Sequence, residues 1–295
     1  MSSSSKNDLP IGIFDSGIGG LTVLKALREA LPSEHFLYLG DTARLPYGTK
    51  SAETVKNYTL NATEILASQV KMLVVACNTA TAVALEALQQ KCHPIPVVGV
   101  IEPGVKAALS EASEGQVVIL STEGTAKGHA YRNVLARLSP QTEVLEWGCS
   151  QILVALAEEG WCHGQLVENV IDKLLAPLKQ ALTTRKTRCV VLGCTHYPAL
   201  KEPIQKVLGD ILVLDPAKQV ACEVKALLSE QGLLRQAETV PTIHFMATDG
   251  PERFARTAQI FLGHPIALNT VKLVSVPAYE LGFRHEISLR ASTGQ

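Results

Sequence analysis

Two segments, each an apolar strand that leads into a cysteine, constrain this chain more than any other feature. They are VVACNTATA at residues 74–82 and VVLGCTHYP at residues 190–198. A continuous run of Val and Leu is typical of a strand that is buried on both faces of a parallel sheet. Proteins with such sheets bind their ligands at the carboxyl ends of the strands. Cys77 and Cys194 are therefore predicted to lie at ligand-binding strand ends.

Short apolar runs alternate with helical patterns along the chain. Apolar residues recur with the three-and-four spacing of amphipathic helices between Val55 and Leu66 and between Val167 and Leu175. The predicted strands are Ile11–Phe14, Phe36–Leu39, Met72–Ala76, Val97–Val100, Val117–Leu120, Cys189–Leu192, Ile211–Leu214 and Ile243–Met246. This alternation predicts an α/β fold with mainly parallel strands.

A coarse internal repeat divides the chain into two similar halves. IGIFDSGIGG at residues 11–20 precedes the first cysteine much as VVILSTEGT at residues 117–125 precedes the second. We expect two similar lobes, each a mainly parallel sheet flanked by helices, with the active site in the cleft between them. Residues 1–101 and 215–295 are predicted to form the first lobe, and residues 102–214 the second.

The composition argues against several classes of protein. Lys and Arg number 27 against 28 acidic residues, a formal net charge of −1 without a dense basic run, so nucleic acid is not expected as a partner. The start MSSSSKND is polar and no later stretch reaches spanning length, so we expect no membrane partner and a cytoplasmic location. Seven cysteines without a C-x-x-C pair argue against a disulfide framework and against a structural metal site.

The turn DSGIGGLT at residues 15–22 places glycines between a strand and a helix, which is the setting of a dinucleotide-binding fingerprint. Gly17 and Gly19 fit its first two positions, but Thr22 stands at the third. The carboxylate of Asp15 also lies beside the loop that would receive a pyrophosphate, so NAD and FAD are not expected. We expect the glycines to allow a tight turn with positive φ, which would leave the helix start free to attract a small carboxylate.

Both cysteines are followed directly by residues that form hydrogen bonds. Asn78 and Thr79 are predicted to cap a helix over residues 80–88. A buried thiol before a capped helix is more often structural than reactive when it occurs alone. The second copy, Cys194 with Thr195 and His196, adds a group that titrates near neutral pH. The pair therefore favours two reactive thiols that face one pocket and act as two bases.

Six motifs, which together span most of the chain, resemble those of the cofactor-independent aspartate/glutamate racemases. They are FDSGIGGLTVL (14–24), GDTARLPYG (40–48), VVACNTATA (74–82), STEGT (121–125), GCTHYP (193–198) and DGPERF (249–254). The resemblance implies interconversion of L-glutamate and D-glutamate without a cofactor or metal. It also implies that the D-glutamate supplies bacterial peptidoglycan synthesis.

The resemblance further implies roles for individual residues. Cys77 and Cys194 would be the two catalytic bases, with Asp15 assisting the first and His196 and Glu158 the second. Because CSQILVALAEEG at residues 149–160 lacks the family's usual proline after the cysteine, Glu159 is an alternative to Glu158. Contacts to the glutamate substrate are implied for Asp15, Ser16, Tyr47, Gly48, Asn78, Thr79, Thr195 and His196.

The chemistry of inversion explains why two thiols are needed. Without pyridoxal, a base must remove the α-proton from one face of the substrate while an acid delivers another to the opposite face. One cysteine would be a thiolate and the other a thiol, and they would exchange states at each turnover. The resemblance assigns D-glutamate to the Cys77 side and L-glutamate to the Cys194 side.

The neighbours of the two thiols are expected to act differently. Asp15 should raise the pKa of a nearby thiol by like-charge repulsion, so its use lies in accepting the thiol proton or holding the substrate ammonium. A protonated His196 favours a thiolate and can also donate a proton.

Other functions stay open on the sequence. Racemisation of aspartate or another acidic amino acid is one, and a cysteine hydrolase or amidase that uses Cys194 and a histidine is another, although it leaves Cys77 unexplained. A third is a non-catalytic binding module in which two lobes close on an amino acid. The sequence also leaves open whether the chain forms a homodimer. The turn at residues 249–251 is expected to open a helix rather than to contact a ligand.

Overall fold

The computed structural model describes residues 6–111, 114–236 and 239–276. Within these residues the strands are β1 (Ile11–Asp15), β2 (Phe36–Gly40), β3 (Met72–Val75), β4 (Val97–Gly99), β5 (Gln116–Thr122), β6 (Val144–Cys149), β7 (Thr187–Gly193), β8 (Val213–Leu214), β9 (Ile243–Ala247) and β10 (Val271–Leu273). The α-helices are α1 (Leu21–Ala30), α2 (Ala52–Ala67), α3 (Asn78–Cys92), α4 (Ile101–Glu111), α5 (Glu123–Lys127), α6 (Ala130–Leu138), α7 (Ile152–Glu158), α8 (Gln165–Leu182), α9 (Lys201–Leu208), α10 (Ala217–Glu230) and α11 (Pro251–Leu262). Among the described residues, no helix combines the length and apolarity that crossing a membrane requires.

The strands form two parallel sheets with related strand orders. One sheet has the order β10-β9-β2-β1-β3-β4, and the other has the order β6-β5-β7-β8. β1 lies between β2 and β3 in the same way that β5 lies between β6 and β7. The α/β class with two similar lobes is therefore confirmed. We call the part around the six-stranded sheet the first lobe and the part around the four-stranded sheet the second; the residue boundaries of the lobes stay a prediction.

Burial explains why the strand signals are continuous apolar runs. Every residue of β1, β2 and β5 is buried, because helices cover both faces of each sheet. The sequence pattern does not predict β6 or β10. β6 is an edge strand whose residues are mostly half-buried, and β10 has three residues of which two are exposed, so neither carries an uninterrupted apolar run.

The strand order brings four site residues to carboxyl strand ends. After β1 the chain continues to β2 on one side of the sheet, and after β3 it continues to β4 on the other side. The second sheet repeats this arrangement with β5 and β7. The change of direction opens a crevice at the carboxyl ends of these strands. Asp15 ends β1 and Cys77 follows β3, while Thr122 ends β5 and Cys194 follows β7. Both cysteines thus lie at the switch point of their own sheet.

At the other end of β3, a buried lysine ties distant segments together. The side chain of Lys71 is fully buried, and its Nζ lies 2.5 Å from Oε2 of Glu34. Nζ also donates to the carbonyl oxygens of Asn7 at 2.6 Å and Leu233 at 2.9 Å. Oε1 of Glu34 accepts the backbone N–H of Arg235 at 2.9 Å. This cluster holds the amino ends of the strands in the first lobe, away from the cysteines.

Replacing Lys71 with Met should destabilise the protein strongly, because it leaves the buried Glu34 carboxylate without its cation. Breaking a buried pair in this way costs about 3–5 kcal/mol. The matched control is Lys91→Met, which removes a partly exposed pair with Glu64 and should cost about 1 kcal/mol or less. Urea unfolding of both variants measures the difference, and equal losses would contradict the role assigned to Lys71.

Candidate active site

The two lobes meet at a cleft that contains about 430 Å³ of empty space. The first lobe lines it with Ser16, Gly17, Leu45, Pro46, Tyr47, Gly48, Cys77, Asn78 and Thr79. The second lobe lines it with Thr122, Gln151, Val154, Glu158, Cys194, Thr195 and His196. All the residues predicted for the site line this cleft except Asp15, which is completely buried beside it.

Cys77 itself caps α3. Its sulfur accepts the backbone N–H of Ala80 at 3.4 Å, and its thiol donates to the hydroxyl oxygen of Ser16 at 3.4 Å. The prediction that Asn78 and Thr79 cap this helix is therefore wrong, since both lie inside its first turn. The helix starts two residues earlier than the sequence predicts because the thiol takes the capping position.

The surroundings of Cys77 favour the protonated thiol. Burial raises the pKa of this thiol to about 12, and the Asp15 carboxylate acts in the same direction. The hydrogen bonds with Ser16 and Ala80 lower the pKa but do not offset burial. In this arrangement Cys77 is a thiol at neutral pH.

Cys194 begins a chain of polar contacts that crosses the lobes. Its Sγ lies 3.9 Å from Nδ1 of His196, and Nε2 of His196 lies 3.0 Å from Oε1 of Glu158. The other oxygen of Glu158 accepts a hydrogen bond from Nη2 of Arg253 at 2.9 Å. Arg253 lies on α11 of the first lobe. Glu158 faces the cleft, whereas the side chain of Glu159 is 65% exposed.

The His196–Glu158 contact is an ion pair at neutral pH. Burial alone would lower the pKa of His196, but its hydrogen bonds with Cys194 and Glu158 raise that pKa to about 10. Burial acts to raise the pKa of Glu158, but the hydrogen bond with His196 and the charges of His196 and Arg253 bring it below the ordinary value. The second cysteine therefore has a cation beside it, whereas the first has a carboxylate.

Asp15 is held by both lobes. Its Oδ2 accepts the backbone N–H of Gly17 at 2.9 Å, and its Oδ1 accepts the hydroxyl of Thr195 at 3.4 Å. Burial raises the pKa of Asp15, while the charge of His196 and the N–H groups of Gly17 and Gly20 act to lower it. The expectation that the start of α1 is free for a small carboxylate is wrong, because its first three backbone N–H groups already donate to carbonyl oxygens of the preceding turn.

The glycines of the turn at residues 15–20 provide space rather than positive φ. None of Gly17, Gly19 and Gly20 has a positive φ, so that expectation is wrong. A Cβ at Gly19 would lie 2.6 Å from both Nδ1 of His196 and Oγ1 of Thr195. Only glycine lets this turn pack directly against the Cys194 loop of the other lobe.

Three threonine hydroxyls link the lobes on the other side of the cleft. Oγ1 of Thr79 lies 3.1 Å from that of Thr122 and 3.0 Å from that of Thr125. Nearby, the buried Tyr131 hydroxyl donates to Oδ1 of Asn78 at 2.6 Å, so Asn78 has its amide N–H groups left to offer the cleft. The STEGT motif is the one sequence signal for Thr122 and Thr125, and nothing in the sequence pointed to Tyr131.

Tyr47 presents its ring and backbone to the cleft. Its hydroxyl donates to Oδ2 of Asp41, a buried carboxylate that also accepts Nε of Arg44 at 2.7 Å and the hydroxyl of Thr248 at 2.9 Å. Among the described residues that line the cleft, His196 alone carries a positive charge. A ligand carboxylate here must therefore bind mainly to hydroxyls, amides and backbone N–H groups. The described residues contain no group of three or more His, Cys, Asp or Glu suited to hold a metal.

Comparisons with known proteins agree on one family. Residues 11–224 match the model of the Asp/Glu/hydantoin racemase family. Glutamate racemase from Geobacter metallireducens is 45% identical over 86% of this chain and 92% of its own length, and that from Chlorobaculum parvum is 41% identical with the same coverage. The crystal structure of glutamate racemase from Francisella tularensis in complex with D-glutamate is similar with a TM-score of 0.84. It is 35% identical, and the match covers 92% of this chain and all of that one.

Replacing Gly124 with Ala should destabilise the contact between the lobes, because a Cβ there would lie 2.7 Å from the carbonyl oxygen of Gly48. Overpacking of this kind costs about 1–3 kcal/mol. Gly128→Ala, at the end of the same helix, is the matched control, since its Cβ would meet nothing closer than 3.6 Å. Thermal unfolding compares the melting temperatures of the two variants. If Gly124→Ala is as stable as Gly128→Ala, the contact between the lobes can accommodate a methyl group, and the prediction is wrong.

The raised pKa of His196 predicts a pH-dependent contribution to stability. A group whose pKa is about 10 when folded and 6.5 when unfolded stabilises the fold fully below pH 6.5, and loses that contribution as pH rises through 10. His196→Asn should therefore remove part of the decline in unfolding free energy between pH 6.5 and 10. The control is His163→Asn, at an exposed site. Parallel curves for wild type and His196→Asn would contradict the ion pair.

Proposed function

The chain belongs to the Asp/Glu/hydantoin racemase family and is an enzyme of the glutamate racemase type, and from this premise we propose that two cysteines carry its reaction. In the proposal, Cys77 and Cys194 interconvert L-glutamate and D-glutamate by removing and delivering the α-proton on opposite faces. One observation carries it: the two thiols line a single cleft from opposite lobes, each with its own acid or base beside it.

The charges of the site suggest which proton moves first. Cys77 is a thiol at neutral pH, and the proposed reaction starts from a thiolate at Cys194, which has the His196 cation beside it. Cys194 then removes the α-proton of L-glutamate, and Cys77 gives its own proton to the opposite face of the same carbon. The product is D-glutamate, and the enzyme is left with a Cys77 thiolate and a Cys194 thiol. This second form carries the reverse reaction.

The intermediate is a carbanion next to a carboxylate, and it needs stabilisation. We propose that the amino end of α3 supplies it, together with the amide N–H groups of Asn78. The Tyr131 hydroxyl orients the Asn78 amide for this task by engaging its oxygen.

Asp15 is proposed to act through Cys77 rather than on the substrate directly. It is completely buried and is absent from the residues that line the cleft, so the ammonium group of the substrate does not reach it in this arrangement. For the reaction from D-glutamate, which needs Cys77 as the thiolate, a carboxylate there can take the Cys77 proton before the substrate binds, with Cys194 protonated from solvent. Burial raises the pKa of Asp15, which favours this exchange.

The side-chain carboxylate of glutamate is proposed to lie at Tyr47 and Gly48, opposite Thr122. These residues meet across the cleft, since a Cβ at Gly48 would lie 2.7 Å from Cβ of Thr122. Backbone N–H groups and threonine hydroxyls would bind the carboxylate there without a lysine or arginine.

We also propose that the D-glutamate serves peptidoglycan synthesis and that the enzyme acts in the cytoplasm. The resemblance of the motifs to those of glutamate racemases supports the first point. The second is supported by the seven cysteines, which are all free thiols and thus suit a reducing compartment.

Incubation in deuterated water tests the reaction. Without an added cofactor, the protein should invert L-glutamate and D-glutamate, and solvent deuterium should enter the α-carbon of both. Circular dichroism follows the inversion, and proton NMR follows the loss of the α-proton signal. Inversion of aspartate in place of glutamate would redirect the substrate assignment, and no exchange with either would sink the racemase proposal.

Single alanine variants, measured with the same inversion assay, test the two bases. Cys77→Ala and Cys194→Ala should each lower kcat at least ~10²-fold, the usual contribution of a general acid or base. Cys222→Ala, at an exposed thiol, is the matched control and should keep full activity. Loss of activity with Cys194→Ala alone would contradict the two-base mechanism and favour chemistry at Cys194 only, and full activity in both variants would overturn the role proposed for the two thiols.

A further inference from the structure

Helix α11 places two side chains against the Cys194 side of the cleft. The ring of Phe261 packs edge-on against the ring of His196, with centroids 5.4 Å apart and an angle of 85°. About two turns earlier on the same helix, Arg253 contacts Glu158, the partner of His196. A helix of the first lobe therefore contacts the proton-transfer groups of the second.

The start of α11 is fixed in a way that holds Arg253 in place. Gly250 adopts the left-handed conformation with φ 56° just before the helix, and Pro251 is its first residue. This confirms that the turn at residues 249–251 opens a helix. The hydroxyl of Thr42 accepts the backbone N–H of Asp249 at 2.9 Å, and Phe254 is completely buried against Tyr38. The backbone of Arg253 is thus anchored although its side chain is 49% exposed.

Arg253 and His196 each contact a different oxygen of the Glu158 carboxylate. Oε2 accepts Nη2 of Arg253 at 2.9 Å, and Oε1 lies 3.0 Å from Nε2 of His196. Glu159 lies farther from Arg253, with its Oε1 at 3.7 Å. Arg253 does not line the cleft, so it reaches the reaction only through Glu158.

A buried histidine and a buried glutamate can share one proton in two ways. Burial favours the neutral pair, in which the proton moves from His196 to Glu158 and the imidazole loses its charge. A guanidinium on the far oxygen opposes this transfer, because it stabilises the carboxylate more than it repels the more distant imidazolium. The other ionisable groups near this pair are Cys194 and Asp15 on the cleft side and Glu159 on the outside.

We propose that Arg253 is a positioning residue that keeps Glu158 ionised and oriented, so that His196 retains its proton beside Cys194. The inference rests on the proposed racemase function and extends it to a residue outside the cleft. Arg253 acts only on the Cys194 side. Its loss should therefore hinder proton removal from L-glutamate more than proton removal from D-glutamate.

The main test compares Arg253→Met with Arg256→Met, which makes the same change at an exposed position on the same helix. Arg253→Met should lower kcat/KM about fivefold, the upper range for a partly exposed ion pair, and Arg256→Met should not. Because loss of Arg253 raises the pKa of Glu158, the acid limb of the pH profile of kcat/KM should move to higher pH. Arg253→Lys should restore that limb. Equal behaviour of the two methionine variants would overturn the proposal.

The direction of the effect is read from isotope effects. The two enantiomers have equal free energy, so kcat/KM must fall equally in both directions. If removal of the proton by Cys194 becomes slower, the primary isotope effect with α-deuterated L-glutamate should rise, and that with α-deuterated D-glutamate should fall. A change of the same sign for both substrates would count against a role confined to the Cys194 side.

A double-mutant cycle tests whether Arg253 acts through Glu158. In a Glu158→Gln background the carboxylate is gone, so adding Arg253→Met should change kcat/KM less than twofold. An undiminished fivefold loss in that background would mean that Arg253 acts by another route and would overturn the proposal.

Nitrogen NMR of labelled histidine decides the point without relying on activity. The ring signals of His196 are assigned by their loss in His196→Asn. Arg253→Met should shift these signals and their titration, and Arg256→Met should leave both unchanged. Unchanged His196 signals in Arg253→Met would overturn the inference. A wild-type protein that does not invert glutamate would instead sink the proposed function, while this comparison would still decide the role of Arg253.

Discussion

The close contact between the turn at residues 15–20 and the Cys194 loop is the constraint on which the rest of the site depends. The turn comes so near that Gly19 has no room for a Cβ beside His196 and Thr195. The same contact lets Thr195 donate to Asp15 and buries Asp15 completely. Without it, the acid-base groups would be hydrated and their pKa values would return toward ordinary ones. Burial at this contact is thus what makes Cys77, Asp15 and His196 chemically different from surface groups.

The scaffold is nearly symmetric, but its charges are not. Four strands of the first sheet repeat the strand order of the second, and both cysteines follow the equivalent strand. Cys77 has a carboxylate and a hydroxyl beside it, whereas Cys194 has an imidazolium that is paired with Glu158. A racemase must accept two enantiomers of equal energy from opposite faces, which suits a repeated scaffold. In the proposed mechanism, the unequal charges decide which thiol acts first as the proton donor.

Sequence patterns predicted the placement of the cysteines because that placement is a local property. A run such as Met72–Val75 identifies a buried parallel strand, and the residue after such a strand lies at the ligand-binding end. The same reasoning failed for the glycines, which were expected to supply positive φ. Gly19 instead makes room for the other lobe, and no neighbouring residue in the chain carries that information. It also failed for the cap of α3, where a thiol took a position that usually goes to Asn or Thr.

The sequence by itself determined the α/β class, the repeat and the position of Cys77 and Cys194 at strand ends, because strand burial and motif order depend on consecutive residues. Only the tertiary structure decided which groups meet. Arg253 contacts Glu158 from 95 residues away, and the Tyr131 hydroxyl reaches Asn78 from 53 residues away. Such pairs depend on how helices of different lobes pack, and the spacing of apolar residues along the sequence does not predict that packing. The proton affinities of the site follow from those pairs and from burial, so they too were fixed only when the lobes came together.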